Sequence, residues 1–137
     1  MAVQYICPIC GGQLRVKNSI LISAKSKTTN KRGLIFLDPE IGNYTKTTHP
    51  SFELQKGEEC MIYCPICHTT LNREENPHLV KVNMIDDNNV EYDVFFSNVV
   101  GEECTYKIKD KKVEMLGPDA ERYKHYFDIP PEDRKYL

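Results

Sequence analysis

The chain has 137 residues, a formal net charge of −2 and 40% hydrophobic residues, so it is long enough for one compact domain with a real core. Its nearly balanced charge gives no overall reason to expect nucleic acid or an anionic membrane as a partner, and its apolar runs are too short to cross a bilayer. No secretory signal is visible near the first residue, so the sequence predicts a soluble cytoplasmic protein without a membrane partner.

The charges are unevenly distributed along the chain. Residues 1–37 contain six basic and no acidic side chains, whereas residues 38–137 contain twelve basic and twenty acidic ones. The sequence therefore predicts a basic arm or face on an otherwise acidic protein.

The first half of the chain begins with the tetrapeptide Cys-Pro-Ile-Cys at residues 7–10, followed by two glycines that suit a turn around a metal. Apolar and β-branched residues then predict strands over residues 19–23 and 34–37. The residues between them, 24–33, are polar and basic, so we expect a long hairpin with a basic tip. Residues 38–51 contain two prolines, a glycine and several threonines and are predicted to be mostly loop.

A second copy of the tetrapeptide lies at residues 64–67. Short strands are predicted over residues 52–54 and 60–63, and the second of these leads directly into the tetrapeptide. Residues 11–63 would then be a large insertion, containing the basic hairpin, between the two halves of one metal site.

The second half of the chain alternates more regularly between apolar and polar residues. The alternation and the turn residues between the runs predict a four-stranded antiparallel meander over residues 79–85, 90–96, 104–108 and 112–116. A Gly-Pro pair then ends the sheet, and Asp119 is a plausible cap for a short helix that runs to Phe127. The remaining residues are charged and are expected to form a tail.

These elements predict a mainly β protein. It would combine a zinc-ribbon knuckle and its inserted β-hairpin with an antiparallel β-meander and a short C-terminal helix. We assign residues 1–77 to the knuckle region with its hairpin and residues 78–137 to the meander, helix and tail, packed together as one unit.

The two tetrapeptides predict one metal site. A Cys-x-x-Cys turn places two thiolates on one side of a tight loop, and two facing turns supply four sulfurs for a tetrahedral ion. In a reducing compartment, cysteines are better interpreted as ligands and free thiols than as disulfides. We therefore predict Cys7, Cys10, Cys64 and Cys67 as metal ligands. Because a closed site of this kind has no position for water or substrate, the protein is predicted not to be an enzyme.

The repeated Cys-Pro-x-Cys, with Gly11 after the first copy, resembles the knuckles of zinc-ribbon and rubredoxin-like proteins. In that class both pairs bind one ion, which implies Zn²⁺ as the cofactor of the same four cysteines, with iron as the alternative. The resemblance covers roughly residues 3–13 and 60–71. Two departures from it are His68, where the second knuckle often has glycine, and the 53 residues that separate the tetrapeptides.

Other interpretations of these residues stay open. A thioredoxin-like dithiol would need a helix that starts at the first cysteine, which the glycines after residues 7–10 disfavour. His68 could bind the metal or donate a hydrogen bond to a sulfur, but a place beside the ligands or on the surface is favoured. Cys60 and Cys104, which each end a Gly-Glu-Glu-Cys tetrapeptide, are predicted to be small buried residues at strand starts.

The basic segment at residues 25–32 offers a further function. Its cations, Lys25, Lys27, Lys31 and Arg32, could contact phosphates, but the segment has no aromatic side chain for base stacking, so a solvated hairpin tip is favoured.

Taken together, the metal site and the predicted sheets indicate a zinc-binding accessory or adaptor protein that presents a β surface to a protein partner. A nucleic-acid-binding ribbon and an iron electron carrier are the alternatives.

Overall fold

The structure is a computed structural model that describes residues 3–40, 44, 46–74, 76–109 and 112–123. These residues contain ten strands, numbered in chain order, in two antiparallel sheets. The meander sheet consists, in spatial order, of β1 (Gln4–Ile6), β7 (Leu79–Ile85), β8 (Glu91–Ser97), β9 (Thr105–Lys109) and β10 (Lys112–Leu116). The hairpin sheet consists of β2 (Arg15–Val16), β3 (Ser19–Ser26), β4 (Arg32–Leu37) and β5 (Lys46–Thr48), with β6 (Cys60–Tyr63) also paired to β3.

The main core is formed by one face of each sheet. Every second residue of β3 is buried, including Ile20 and Ile22, and in β7 Val80, Val82 and Met84 are buried in the same way. Successive side chains of a strand point to opposite faces, so this alternation turns one whole face of each strand inward. The buried residues of both sheets form a single cluster. Since burying one large aliphatic side chain contributes about 1.5–3 kcal/mol, this shared core holds the sheets together.

The meander sheet is also covered on its second face. Leu79, Phe95 and Tyr106 are buried there in a separate cluster with Cys104 and Ala120. The Tyr106 hydroxyl donates a hydrogen bond to the backbone carbonyl of Ala120. The chain that follows β10 therefore packs back onto the sheet, which explains why Leu79 and its neighbour in β7 are both buried.

The predicted helix from Asp119 to Phe127 is not supported. In the described residues the chain forms only a short 3-10 helix, Ala120–Tyr123, and residues 124–127 lie outside them. The Asp119 carboxylate, predicted to cap the helix, instead accepts a hydrogen bond of 2.8 Å from the Glu103 amide. Asp119 thus ties the turn after β10 to the segment just before β9.

The two halves of the chain repeat one plan. In each half a short strand leads into a Cys-Pro-Ile-Cys turn, and the chain leaves the turn towards a long hairpin, β3–β4 or β7–β8. The entering strands are exchanged between the halves: β1 pairs with β7, and β6 pairs with β3. Each strand that enters one turn therefore pairs with the hairpin that follows the other turn, and neither half completes its own sheet.

The sequence predicted most strands correctly. The hairpin with the basic tip and the four-stranded antiparallel meander are both confirmed. One prediction between residues 38 and 54 is wrong, since residues 52–54 are not a strand. The segment 38–51, predicted to be mostly loop, also contains the short strand β5 at residues 46–48. Phe52 instead closes a turn on His49, and its ring lies over Gly33, where an added Cβ would come within 2.5 Å of it.

The base of the basic hairpin tip is held by a buried polar contact. The Ser26 hydroxyl donates to the Glu58 carboxylate, and both side chains are buried. This hydrogen bond, together with one of 2.8 Å from the Gln55 amide, holds the pKa of Glu58 below its ordinary value. The amides of Thr28 and Thr29 donate to the Ser26 oxygen over 3.2 Å, which fixes the turn. The tip is therefore anchored to the segment just before β6.

The domain boundary predicted at residue 77 stays a prediction, but β1 and the shared core join the residues before it to those after it.

Across the described residues, no helix combines the length and the apolar character that a membrane span needs.

Candidate metal centre

The first Cys-Pro-Ile-Cys tetrapeptide folds into a tight turn, the first knuckle, which comprises residues 7–12. The Gly11 amide donates to the Cys7 carbonyl over 3.0 Å, and the Cys7 amide donates to the Gly12 carbonyl over 2.9 Å. Gly11 has a φ angle of 74°, a left-handed conformation that glycine adopts without steric cost. The glycine predicted to permit a turn around a metal therefore occupies the position that needs it.

The second knuckle, residues 64–69, repeats this turn without a glycine. The His68 amide donates to the Cys64 carbonyl over 2.9 Å, and the Cys64 amide donates to the Thr69 carbonyl over 3.1 Å. His68 has a φ angle of 63° and is exposed, so it takes the place that Gly11 has in the first knuckle. Its left-handed backbone thus preserves the turn despite the departure from glycine.

The two knuckles face each other and bring four sulfurs together. The Cys7 and Cys67 sulfurs are 3.9 Å apart, the Cys10 and Cys64 sulfurs are 3.8 Å apart, and all four lie within 4.8 Å of one another. Four sulfurs that surround a tetrahedral zinc at about 2.3 Å lie about 3.8 Å from each other. The four predicted ligands can therefore hold one metal ion, in a site compatible with that of a zinc ribbon.

Backbone amides donate to all four sulfurs. Five of them, over 3.3–3.5 Å, belong to Ile9, Cys10, Gly12, Ile66 and Cys67, and the Thr69 amide donates to the Cys67 sulfur. Such N–H···S contacts stabilise negative charge on a thiolate and orient it. The turns thus supply both the ligands and part of the charge compensation that four thiolates around one cation require.

The thiols differ in their electrostatic surroundings. Burial raises the pKa of Cys7 to about 12, although amide hydrogen bonds oppose this effect. Hydrogen bonds from the side chain and the backbone of Thr69 lower the pKa of Cys67 to about 6. Because a metal binds the thiolate forms of these cysteines, its apparent affinity falls as the pH falls.

Thr69 is the residue of this site that sequence reasoning missed. It lies two positions after Cys67, where the first knuckle has Gly12, and it supports the sulfur that is less buried than that of Cys64. Alignment of the two tetrapeptide repeats would have placed it beside the metal, but only the folded turn shows the hydrogen bond.

We expect the left-handed positions to respond in opposite ways to substitution. Gly11→Ala should cost about 1 kcal/mol of stability through backbone strain alone, because nothing lies within 4 Å of the added Cβ. His68→Gly should leave stability unchanged or raise it by up to about 1 kcal/mol, and the metal content should stay the same. Thermal unfolding and elemental analysis of both variants check this expectation. Loss of the metal from His68→Gly would instead identify a ligand or an essential partner of one.

The other two cysteines are not part of the cluster. Cys60 and Cys104 are both 1% exposed, and neither belongs to the group of four sulfurs found in the described residues. Cys60 begins β6, as predicted, and Cys104 directly precedes β9. Burial raises the pKa of the Cys60 thiol to about 11, so this group stays protonated at neutral pH.

The predicted basic residues are not all alike in the structure. Lys25 and Arg32 are register partners on neighbouring strands and lie on the face of the hairpin sheet that points away from the core. Lys31 is exposed in the turn, whereas the Lys27 ammonium lies 3.9 Å from the Glu59 carboxylate. The fold therefore brings Lys25 and Arg32 together and engages Lys27 elsewhere.

Comparison with protein-family models, with curated proteins and with solved structures finds no match to this chain.

Proposed function

We propose that this chain is a non-enzymatic zinc-binding accessory protein, in which a closed four-cysteine site holds two β units together so that their surface can bind a macromolecular partner. The observation that carries the proposal is the set of four sulfurs within 4.8 Å, two from each knuckle. Four protein ligands complete a tetrahedral zinc and leave no position for water or substrate, so the ion serves structure rather than catalysis.

The position of the site in the fold supports a structural role. Each knuckle is entered by a strand of one sheet and left towards a hairpin of the other, and the metal would close both connections at one point. Cys7 and Cys64 are buried in the shared core, whereas Cys10 is exposed and Cys67 is half-buried. An ion at this place would link the two knuckles at the surface, next to the shared core.

Zinc is the proposed ion, and iron is the alternative that the same ligands allow. Zinc has no redox chemistry, which suits a site whose role is to join two sheets. Elemental analysis of the purified protein should find one zinc per chain, and the protein should be colourless. A red protein that bleaches on reduction would instead show a rubredoxin-like electron carrier and would overturn the structural role.

The partner is the second part of the proposal. The sequence predicts a protein partner, with nucleic acid as the alternative, and a cytoplasmic location.

A further inference from the structure

The hairpin sheet has one face that points away from the shared core, and the part of it called the outer face below is formed by β3, β4 and β6. Eight residues that alternate with buried ones belong to it: Leu21, Ser23, Lys25, Arg32, Leu34, Phe36, Met61 and Tyr63. The registers set them in three rows across the strands. Phe36 lies opposite Leu21, Ser23 lies between Leu34 and Tyr63, and Lys25 lies between Arg32 and Met61.

Two of the three rows are apolar or aromatic although they face solvent. Phe36 is 43% exposed and Leu34 is 45% exposed, and Tyr63, on the other side of β3, is half-buried. Phe36 and Tyr63 are two strands apart and lie in neighbouring rows, so their backbones are about 12 Å apart at the usual strand and row spacings. Exposed apolar side chains grouped on one face of a sheet suit an interaction site.

The third row carries two positive charges in direct opposition. Lys25 and Arg32 are register partners, and like charges placed opposite each other in a sheet are destabilising. Among the described residues neither of them forms an ion pair, and the strand residues of the outer face include no acid. The pair therefore disfavours the folded state unless an anion binds it, and a local cost of this kind is typical of a functional site.

We propose that the outer face binds single-stranded nucleic acid, with bases stacked on the rings of Phe36 and Tyr63 and the backbone phosphates held by Lys25 and Arg32. One aromatic ring in each of the two rows that precede the row of cations matches a polymer that alternates flat apolar bases with anionic linkers. A duplex hides its base faces inside the stack, so it could use the cations but not the rings. Lys31, exposed in the tip, extends the cationic end of this path.

The basic segment has no aromatic residue of its own for base stacking. Strand pairing places Phe36 of β4 and Tyr63 of β6 on the same outer face as Lys25 and Arg32 of this segment. This inference rests on the proposed function in one respect, since β6 leads into the second knuckle and the metal would hold Tyr63 in place. Metal content measured on every variant separates a failure of the binding surface from a failure of the metal site.

The test uses the full-length, metal-loaded protein and fluorescence anisotropy with labelled oligo(dT) and oligo(U), beside a duplex of equal length. We expect both single strands to bind more tightly than the duplex at low salt. Lys25→Gln/Arg32→Gln should weaken binding about tenfold or more and should reduce the salt dependence, because each lost phosphate contact lowers the slope by about 0.7. Phe36→Ala should weaken binding about tenfold, and Phe36→Tyr should retain it, because a tyrosine ring still stacks.

The matched control is Lys56→Gln/Lys112→Gln, which removes the same charge from exposed lysines outside the outer face. It should bind like the unchanged protein. Equal weakening by the two double variants, equal affinity for the duplex, or no binding at low salt would overturn the proposal. Concentration-dependent dimerisation that Phe36→Ala abolishes would show instead that a second copy covers the face, and retention of an acidic protein would show a protein partner. In both cases we expect single strands not to bind, which contradicts the nucleic-acid assignment.

Discussion

Removal of the metal is expected to unfold both sheets in one transition. The strand that leads into each knuckle pairs with the hairpin that follows the other knuckle, β1 with β7 and β6 with β3. When the knuckles separate, neither sheet therefore keeps its full set of strands. Binding of a structural zinc is worth about 10–16 kcal/mol at neutral pH, which equals or exceeds the whole stability of most domains. Addition of a strong chelator should therefore remove the cooperative thermal transition, and restoring zinc should return it.

The Cys64→Ser variant should reproduce the effect of the chelator, because it removes a buried ligand that is 0% exposed. Cys60→Ala is its control, since this cysteine is equally buried but lies outside the group of four sulfurs. It should keep one metal per chain and lose only about 1–2 kcal/mol, as expected for a small cavity. If Cys64→Ser keeps its metal and its melting temperature, the site is not the fastening point of the fold.

The second large effect is expected at the leucine that follows each knuckle. Leu14 donates its amide to the Tyr5 carbonyl over 2.7 Å, and Leu71 donates to the Ile62 carbonyl over the same distance. Both leucines are buried in the shared core, at 1% and 3% exposure. Leu14→Ala and Leu71→Ala should each cost about 2–5 kcal/mol, because each leaves a cavity beneath a knuckle. Thermal or denaturant unfolding of the metal-loaded protein measures this cost.

The isoleucines inside the two tetrapeptides provide matched controls. Ile9 is 61% exposed and Ile66 is 55% exposed, so their replacement by alanine removes little buried surface. Each should change stability by less than about 0.5 kcal/mol. Similar costs for the two leucines would also support the equivalence of the two halves of the chain. A large loss at one leucine and none at the other would contradict it.

The ligands of the candidate site could be predicted from the sequence because their pattern is local. A Cys-x-x-Cys turn sets the distance between its own two sulfurs, and two such turns need only meet. The alternation of β3 and β7 is local in the same way, since a strand turns every second residue inward. The predicted cap at Asp119 could not be judged from the sequence, because its carboxylate accepts a hydrogen bond from the amide of Glu103, which is distant in the chain.

The conformation of His68 could be predicted only in part from the sequence. The missing glycine was visible in the sequence, but histidine in the left-handed region became apparent only when the second turn was seen to copy the first. Sequence spacing could not show this, because a non-glycine residue adopts such a conformation only when the surrounding hydrogen bonds require it.

The sequence by itself determined the two Cys-x-x-Cys turns that supply the candidate ligands, the hairpin and the meander, since each follows from residues close together in the chain. The tertiary structure alone decided that β1 and β6 are exchanged between the two halves, because strand pairing depends on contacts between residues far apart in sequence. The same long-range pairing decided that Tyr63 lies in the row next to Lys25 and Arg32. A basic tip without aromatic residues thereby became part of a surface that has them.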